Sequence, residues 1–268
     1  VLTTPASPEL GVLSGITKAL GESGLTASDV DILIHGTTLA TNALIERKGA
    51  KVALITTEGL RDSVEMAQEN RFDQYDINID RPTPLVPRYL RWGVRERLNV
   101  HGQALIPLAE DSVTTLIPDI DKFEIAAVAI GLIHSYANPM HEERVAEILS
   151  KARPELSITL SSEVCPEIRE YERQSTASAN AYVQPMMSRY LGELDSQLVK
   201  LGFNCPFLLM TSGGGLTTLE TAIKFPVRLV ESGPAGGAIL ATEIAKECGI
   251  NDVLSFDMGG TTAKICLI

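Results

Sequence analysis

The sequence predicts an α/β protein with a largely buried sheet. Apolar runs of strand length alternate with longer segments of helical period, and two or more such units are visible before residue 70. With 44% hydrophobic and 21% charged residues in 268, the chain can bury a substantial core. Taken in order, 11–21 reads as a helix, 31–35 as a strand, 39–47 as a helix, 51–56 as a strand and 59–69 as a helix. Pro82, Pro84 and Pro87 then interrupt the rhythm, predicting an irregular loop that leads into a β-ribbon over 89–100. The pattern resumes with a strand at 126–133, a helix at 139–152 that carries Pro139 in its first turn, and a strand at 157–160. Helical patterning from 168 to 201, interrupted by Pro185 and Gly192, predicts one long helix or a kinked pair. Beyond it come a strand at 206–210, the glycine run 213–215, a strand at 227–230, a helix at 234–248 and a strand hairpin at 253–268. A boundary is placed near residue 165, dividing the chain into 1–165 and 166–268.

Charge and composition exclude two function classes. The formal net charge is −11, and no long basic stretch is present to neutralise phosphates, so non-specific nucleic-acid binding is not expected. The longest apolar run, 125–133, falls far short of the roughly 20 residues that span a bilayer. Cys165, Cys205, Cys248 and Cys266 are widely spaced and form no paired motif, which suits a reducing, cytoplasmic setting. The chain opens on Val1 rather than Met and shows no secretory signal, so a cut N-terminus is expected.

The most informative stretch is Val253-Leu-Ser-Phe-Asp-Met-Gly-Gly-Thr-Thr-Ala-Lys-Ile-Cys-Leu-Ile268. An apolar strand delivers Asp257 into a turn built on Gly259 and Gly260, Thr261 and Thr262 follow, and a second apolar strand leaves. Glycines let the backbone approach a phosphate, threonine hydroxyls add donors, and an aspartate can hold hydrated Mg²⁺. Taken alone, the motif is equally a hairpin in which these residues serve only the turn. Upstream, Glu231-Ser-Gly-Pro-Ala-Gly-Gly-Ala-Ile-Leu-Ala-Thr242 opens a helix with small residues, including Gly233, Gly236 and Gly237, which implies a close crossing.

This order of small-residue helix, strand, acidic Gly-Gly-Thr turn and second strand resembles the actin, sugar-kinase and heat-shock-chaperone ATPase superfamily over about 40 residues. A longer resemblance spans nearly the whole chain. His35-Gly-Thr-Thr-Leu-Ala-Thr-Asn-Ala-Leu-Ile-Glu-Arg-Lys-Gly49, Tyr136-Ala-Asn-Pro-Met-His-Glu142, Arg169-Glu-Tyr-Glu-Arg173, Ser232-Gly-Pro-Ala-Gly-Gly237 and Asp257-Met-Gly-Gly-Thr-Thr262 are similar to the hydantoinase A/5-oxoprolinase family. The resemblance implies an actin-like (ribonuclease H-like) ATPase architecture, truncated, preceded by an N-terminal α/β region. It also implies ATP-dependent opening of a cyclic amide, with acetone-carboxylase-type subunits as relatives. ATP and Mg²⁺ are the implied cofactors, and a second subunit or domain of the complex is the implied partner. Family members begin with another acidic Gly-Gly-Thr turn that does not occur here and continue past Ile268. The sequence therefore resembles an internal segment of a longer subunit, and alone it is expected to lack half of the nucleotide site.

Within that reading Asp257 is the candidate catalytic and Mg²⁺-positioning residue, and Gly259, Gly260, Thr261, Thr262, Gly233, Gly236 and Gly237 are the candidate nucleotide-binding residues. His35-Gly36-Thr37-Thr38 lies where a strand ends and a helix begins, a place suited to an anion or a polarised carbonyl. Thr37 and Thr38 are candidates for substrate binding or for the helix cap. His35 is a candidate general base or a packed histidine. Asn42 faces the same crevice or makes a helix-face hydrogen bond. Arg71, which would share a helical face with Tyr75, is a further candidate for substrate contact. The charges at 170–173 read as a solvated helix face or an active-site element, and His141-Glu142 are expected on a surface helix, Glu142 favouring its N-terminal dipole.

In the leading reading ATP activates an amide or enolate oxygen and water or a partner-subunit group completes ring opening. The alternatives are a non-catalytic scaffold, an acetone-carboxylase-type subunit and a sugar kinase. Apolar edges such as Ile265–Ile268 make a homo-oligomer a further expectation.

Overall fold

The central apolar runs of the sequence become neighbouring parallel strands. The computed structural model describes every residue except 1–3, 5–6, 69–72, 74, 81 and 259–262. The chain forms two compact units, the first built from 1–48 together with 186–268 and the second from 49–185. Residue 165, near which the sequence reading places a boundary, lies inside the second unit.

The first unit opens with helices and a short strand: α1 (Pro8–Ser23), β1 (Leu33–His35) and α2 (Leu39–Ile45). Gly24 adopts φ 70° and closes α1, a conformation that favours glycine.

In the second unit, β2 (Val52–Thr57) leads to a short α3 (Ser63–Met66). Next come β3 (Arg91–Val94), the small ribbon β4 (Arg97–Leu98) and β5 (Ala104–Ile106), and helices α4 (Glu110–Thr114) and α5 (Ile117–Lys122). The unit continues through β6 (Ala127–Gly131), α6 (Met140–Ala152), β7 (Ser157–Leu160), α7 (Ser161–Val164) and the first half of α8 (Glu170–Lys200). Its sheet has the order β3-β2-β6-β7 with every pairing parallel. All residues of β2 and β6 are buried, as expected of central strands covered on both faces.

The chain returns to the first unit within α8, which runs unbroken through Pro185. There follow β8 (Phe207–Met210), β9 (Leu216–Thr218), α9 (Leu219–Lys224), α10 (Ser232–Cys248) and the hairpin β10 (Leu254–Met258) and β11 (Ala263–Leu267). β8 pairs in parallel with β1 and antiparallel with β9. β10 and β11 pair antiparallel, as the sequence predicts, and their apolar side chains are exposed, Leu267 at 85%.

Three expectations are corrected. The helix expected over 59–69 is confined to Ser63–Met66, because Ala67 takes φ 51° and ψ −135° and ends it. The expected ribbon over 89–100 splits: Arg91–Val94 joins the parallel sheet and only Arg97–Leu98 pairs with β5. Gly93 permits this, since a Cβ there would lie 3.0 Å from the Glu58 Cα. The strand expected at 227–230 is a 3₁₀ turn over Pro226–Leu229, where Pro226 has no N–H to give a sheet but suits the start of a helical turn.

The second unit begins against its own last helix. The Ala50 N–H donates to the Tyr182 carbonyl at 2.8 Å, and a Cβ on Gly49 would lie 2.2 Å from two ring carbons of Tyr182 and 2.6 Å from its carbonyl oxygen. Gly49→Ala is therefore expected to destabilise the protein by about 1–3 kcal/mol through overpacking. Gly192→Ala, at an exposed position in α8 with nothing near the new methyl, is expected to stabilise it by about 0.5–1 kcal/mol. Urea unfolding midpoints of the two variants check both signs.

Candidate functional site

The parallel pair β1–β8 ends at two turns. After β1 comes His35-Gly36-Thr37-Thr38, and after β8 comes the turn 211–215, in which the Thr211 N–H donates to the Gly215 carbonyl at 2.8 Å and the Gly214 N–H to the Thr211 carbonyl at 3.0 Å. Thr38 is the N-cap residue of α2, yet its hydroxyl does not cap the helix; it receives only a long 3.4 Å contact from Asn42 Nδ2. Thr37 Oγ1 instead accepts the Leu39 N–H at 3.2 Å. The Thr38 and Asn42 side chains thus face each other on the exposed side of the turn.

His35 points the other way. Its Nε2 lies 2.8 Å from the Tyr190 hydroxyl, and its ring sits 5.9 Å from that of Tyr190 and 6.2 Å from that of Phe207. Burial disfavours the imidazolium and pushes the His35 pKa down to about 4, while burial pushes the Tyr190 hydroxyl up to about 12. At neutral pH the pair is therefore a neutral imidazole and a neutral phenol, which favours the packed-histidine reading.

α10 closes over the ends of both strands. Ser232 Oγ donates to the Thr37 carbonyl at 3.0 Å, and the Glu231 N–H donates to Thr41 Oγ1 at 3.0 Å. A Cβ on Gly233 would sit 3.1 Å from Thr38 Cγ2, and one on Gly236 would sit 2.8 Å from Met210 Sδ. Those two glycines set the close approach that the small-residue stretch implies. A Cβ on Gly237 would meet nothing within 4 Å, so its role is not one of space. Glu231 precedes the helix at φ 65° and its side chain does not cap it; the carboxylate lies 3.0 Å from Lys264 Nζ on β11. With Pro234 in the first turn, the N–H groups of Ser232 and Gly233 remain at the helix start, where the helix dipole favours an anion.

Asp257 lies on β10 opposite Lys264 and is exposed. Gly259, Gly260, Thr261 and Thr262, the expected phosphate loop, lie outside the described residues, as does Arg71. Tyr75, its expected helical neighbour, is exposed and lies in a turn rather than a helix. Among the described residues no three His, Cys, Asp or Glu side chains converge on a metal position. A single exposed carboxylate suits Mg²⁺, which usually retains waters and phosphate oxygens as its other ligands.

The second unit corrects the expectation for His141-Glu142. They occupy the first turn of α6, but both are buried. His141 Nδ1 lies 2.8 Å from Glu96 Oε2. The Glu142 carboxylate accepts the Leu132 N–H at 2.9 Å, the Ser161 hydroxyl at 2.6 Å, and the Ser162 N–H and hydroxyl at 2.9 and 2.7 Å. The 170–173 stretch is likewise not a uniformly solvated face, since Arg173 is fully buried. It donates from Nη2 to the Leu132 carbonyl at 2.6 Å and from Nε to Ser161 Oγ at 3.2 Å, and its guanidinium lies 5.4 Å from the centre of the Tyr136 ring. Sequence reasoning did not single out Tyr190, Ser161, Gln174 or Glu96. Tyr190 sits within an ordinary helical pattern, and the partners of the others lie 12 to 118 positions away. The turn after β8 did carry a signal, a strand followed by three glycines.

Two family models match the chain: the hydantoinase/oxoprolinase N-terminal region over residues 1–153 and hydantoinase/oxoprolinase over 173–268. An uncharacterized protein of Methanocaldococcus jannaschii is 39% identical over 100% of this chain and 39% of its own. The alpha subunit of caprolactamase from Pseudomonas jessenii is 35% identical over 99% of this chain and 39% of its own, and the crystal structure of that ATP-dependent enzyme matches with a TM-score of 0.85. A nucleotide-free acetone carboxylase structure matches with a TM-score of 0.90 at 27% identity, covering 100% of this chain and 40% of the other. The chain thus spans about two-fifths of the length of these relatives, and it shares their mixed α/β fold with parallel sheets.

His35 gives stability a pH dependence of defined sign. Its native pKa lies below the unfolded value of about 6.5, so the unfolded chain binds the extra proton between pH 6.5 and about 4. The contribution is fully present above pH 6.5 and is lost as pH falls through about 4, with a size of roughly 1–3 kcal/mol. His35→Gln retains a partner for Tyr190 and removes the titration. The wild-type minus variant difference in unfolding free energy is expected to fall over that window and to be flat above it.

Proposed function

The chain belongs to the hydantoinase/oxoprolinase family, and from that premise we propose that it forms part of an ATP-dependent cyclic-amide hydrolase. The observation that carries this reading is the packing of the Ser232–Gly237 helix start on the turn after β1, at the carboxyl end of a parallel strand pair. A helix N-terminus at such a place is suited to phosphate. The caprolactamase relative, named as ATP-dependent, supports both the nucleotide and the substrate class.

An amide carbonyl is a poor electrophile and its nitrogen a poor leaving group. ATP supplies the phosphoryl group that activates the amide oxygen, and Mg²⁺ offsets the phosphate charge. In this reading the partly exposed N–H end of the helix at Gly233 faces phosphate oxygens, and Gly236 and Gly237 keep the helix start slender. Gly259, Gly260, Thr261 and Thr262, taken from the family resemblance, would hold phosphate oxygens, and Asp257 would hold Mg²⁺, which would offset the phosphate charge. Thr38, exposed on the adjoining turn, and Asn42, half-buried on α2, orient the cyclic amide by hydrogen bonds, with Thr37 and Arg71 as further contacts. His35, neutral against Tyr190, fixes the strand end from which the turn departs and would act as a base only after release from that contact.

The same reading takes 1–165 as the family's N-terminal region and 166–268 as the start of the ATPase-like domain, a division supported by the ranges of the two matching models. A second subunit as partner is supported by the alpha-subunit status of the caprolactamase relative. A cytoplasmic setting is supported by four free cysteines, and no helix among the described residues is long and apolar enough to cross a membrane. A carboxylase-type subunit acting on a ketone is the second reading, favoured by the acetone carboxylase match.

Asp257→Ala in the assembled enzyme is expected to abolish ATP turnover while leaving the unfolding midpoint unchanged, since the side chain is exposed. Wild-type turnover by the variant would remove Asp257 from the site. Stimulation of ATP turnover by a lactam supports the hydrolase reading, and stimulation by a ketone with bicarbonate supports the carboxylase reading.

A further inference from the structure

The second unit contains the site geometry that parallel sheets recurrently use. In the order β3-β2-β6-β7 the chain leaves β2 towards β3 on one side and leaves β6 towards β7 on the other. The loops beyond β2 and β6 therefore diverge, and a crevice opens outside their carboxyl ends. A cavity of about 590 Å³ lies there, lined by Leu60 from the loop after β2, Ile133 from the loop after β6, Met66 from α3, and the start of α8. That volume falls within the range of sites for small molecules.

The charges on this cavity are of both signs. Arg169, Glu170, Glu172 and Asp62 all line it, Asp62 already paired with Arg88. Arg169 stands just before α8 at φ 82° and is exposed, and its charge lies near enough to Glu172 to help lower that carboxyl. Glu172 receives one hydrogen bond at Oε1 from Gln68 Nε2, at 2.8 Å. That bond is the main cause holding its carboxyl below the usual range, so the group is ionised at neutral pH. Glu170 lies 3.9 Å from Arg173 Nη1, too long for a hydrogen bond. Leu60, Met66 and Ile133 give the cavity apolar wall between the charges.

We propose that this cavity binds a free amino-acid zwitterion, its carboxylate on Arg169, its ammonium on Glu172 and Glu170, and its carbon chain against Leu60, Met66 and Ile133. A phosphate-type anion would meet two carboxylates in the first turn of α8. A ligand with a single charge would engage only one sign of this lining, and a wholly apolar one would desolvate both. A zwitterion pairs with both. The site uses residues of the second unit alone and does not draw on the ATP-dependent reading, so either can fail without the other.

The test is calorimetric titration with the series glycine, 3-aminopropanoate, 4-aminobutanoate and 6-aminohexanoate, with butanoate and butylamine as single-charge probes. At least one zwitterion is expected to bind saturably below 10 mM, and neither single-charge probe is. Arg169→Asn keeps a residue tolerant of positive φ and removes the cation; Glu172→Gln keeps an acceptor for Gln68 and removes the anion. Each is expected to weaken binding at least tenfold with unchanged circular dichroism. Hydrogen exchange on the wild type, which requires no variant, is expected to slow at residues 59–68 and 169–172 when the zwitterion is present. Absence of binding across the series, equal binding of butanoate or butylamine, or undiminished affinity in Arg169→Asn would overturn the proposal.

Discussion

The second unit is organised around one buried carboxylate. Glu142 accepts four hydrogen bonds, from the Leu132 N–H, the Ser161 hydroxyl, and the N–H and hydroxyl of Ser162. Burying an ion costs several kcal/mol, about as much as a small domain's whole net stability, unless its lone pairs are met. Here they are met by groups at the carboxyl ends of β6 and β7. Arg173 supplies the opposite charge without touching Glu142: it shares Ser161 Oγ and takes the carbonyl of the same Leu132 whose N–H the carboxylate accepts. The chain following β6 is thus gripped by an anion and a cation at a single residue. Gln174 extends the lattice, donating to Thr56 Oγ1 and to the Gly131 carbonyl, both at 2.9 Å, and accepting the Ser63 hydroxyl. These polar links fix where β2, β6 and α8 end or begin, and those ends frame the cavity.

The first unit follows a different constraint, steric rather than electrostatic. Gly233 and Gly236 let α10 lie against Thr38 and Met210 at distances a methyl would violate. The helix start therefore packs on the turn after β1, with Ser232 fully buried, while the side chain that would ordinarily cap it, Glu231, is directed to Lys264. The close approach and the uncapped end are two sides of the same local choice of residues.

Much of this was legible in the sequence. Period and composition mark β2, β6, β7, α6 and α8 because each is long or strongly apolar, and α8 survives Pro185 because packing along the rest of its length outweighs one missing hydrogen bond. The glycines of α10 announce a close crossing. What was not legible were long-range polar partnerships. Glu142 at a helix start reads as a dipole-favouring surface charge, and only the fold brings Ser161 and Leu132 to it. Likewise Val227–Val230 has strand composition, but Pro226 and the neighbouring turn impose a 3₁₀ path.

The hydrogen bond between Ala50 and Tyr182 ties the entrance of the second unit to its final helix. Its two ends are adjacent by its own folding, so it hangs from the first unit as an insertion with neighbouring points of departure and return. Closing an unstructured loop of this length would cost on the order of 4 kcal/mol in chain entropy. Once residues 49–185 have folded, most of that cost has already been met. During vectorial synthesis the early segment 1–48 must wait for the inserted unit to emerge and fold before β1 can find β8, which makes the insertion the natural first folding step and the strand pair beside the candidate site a late one.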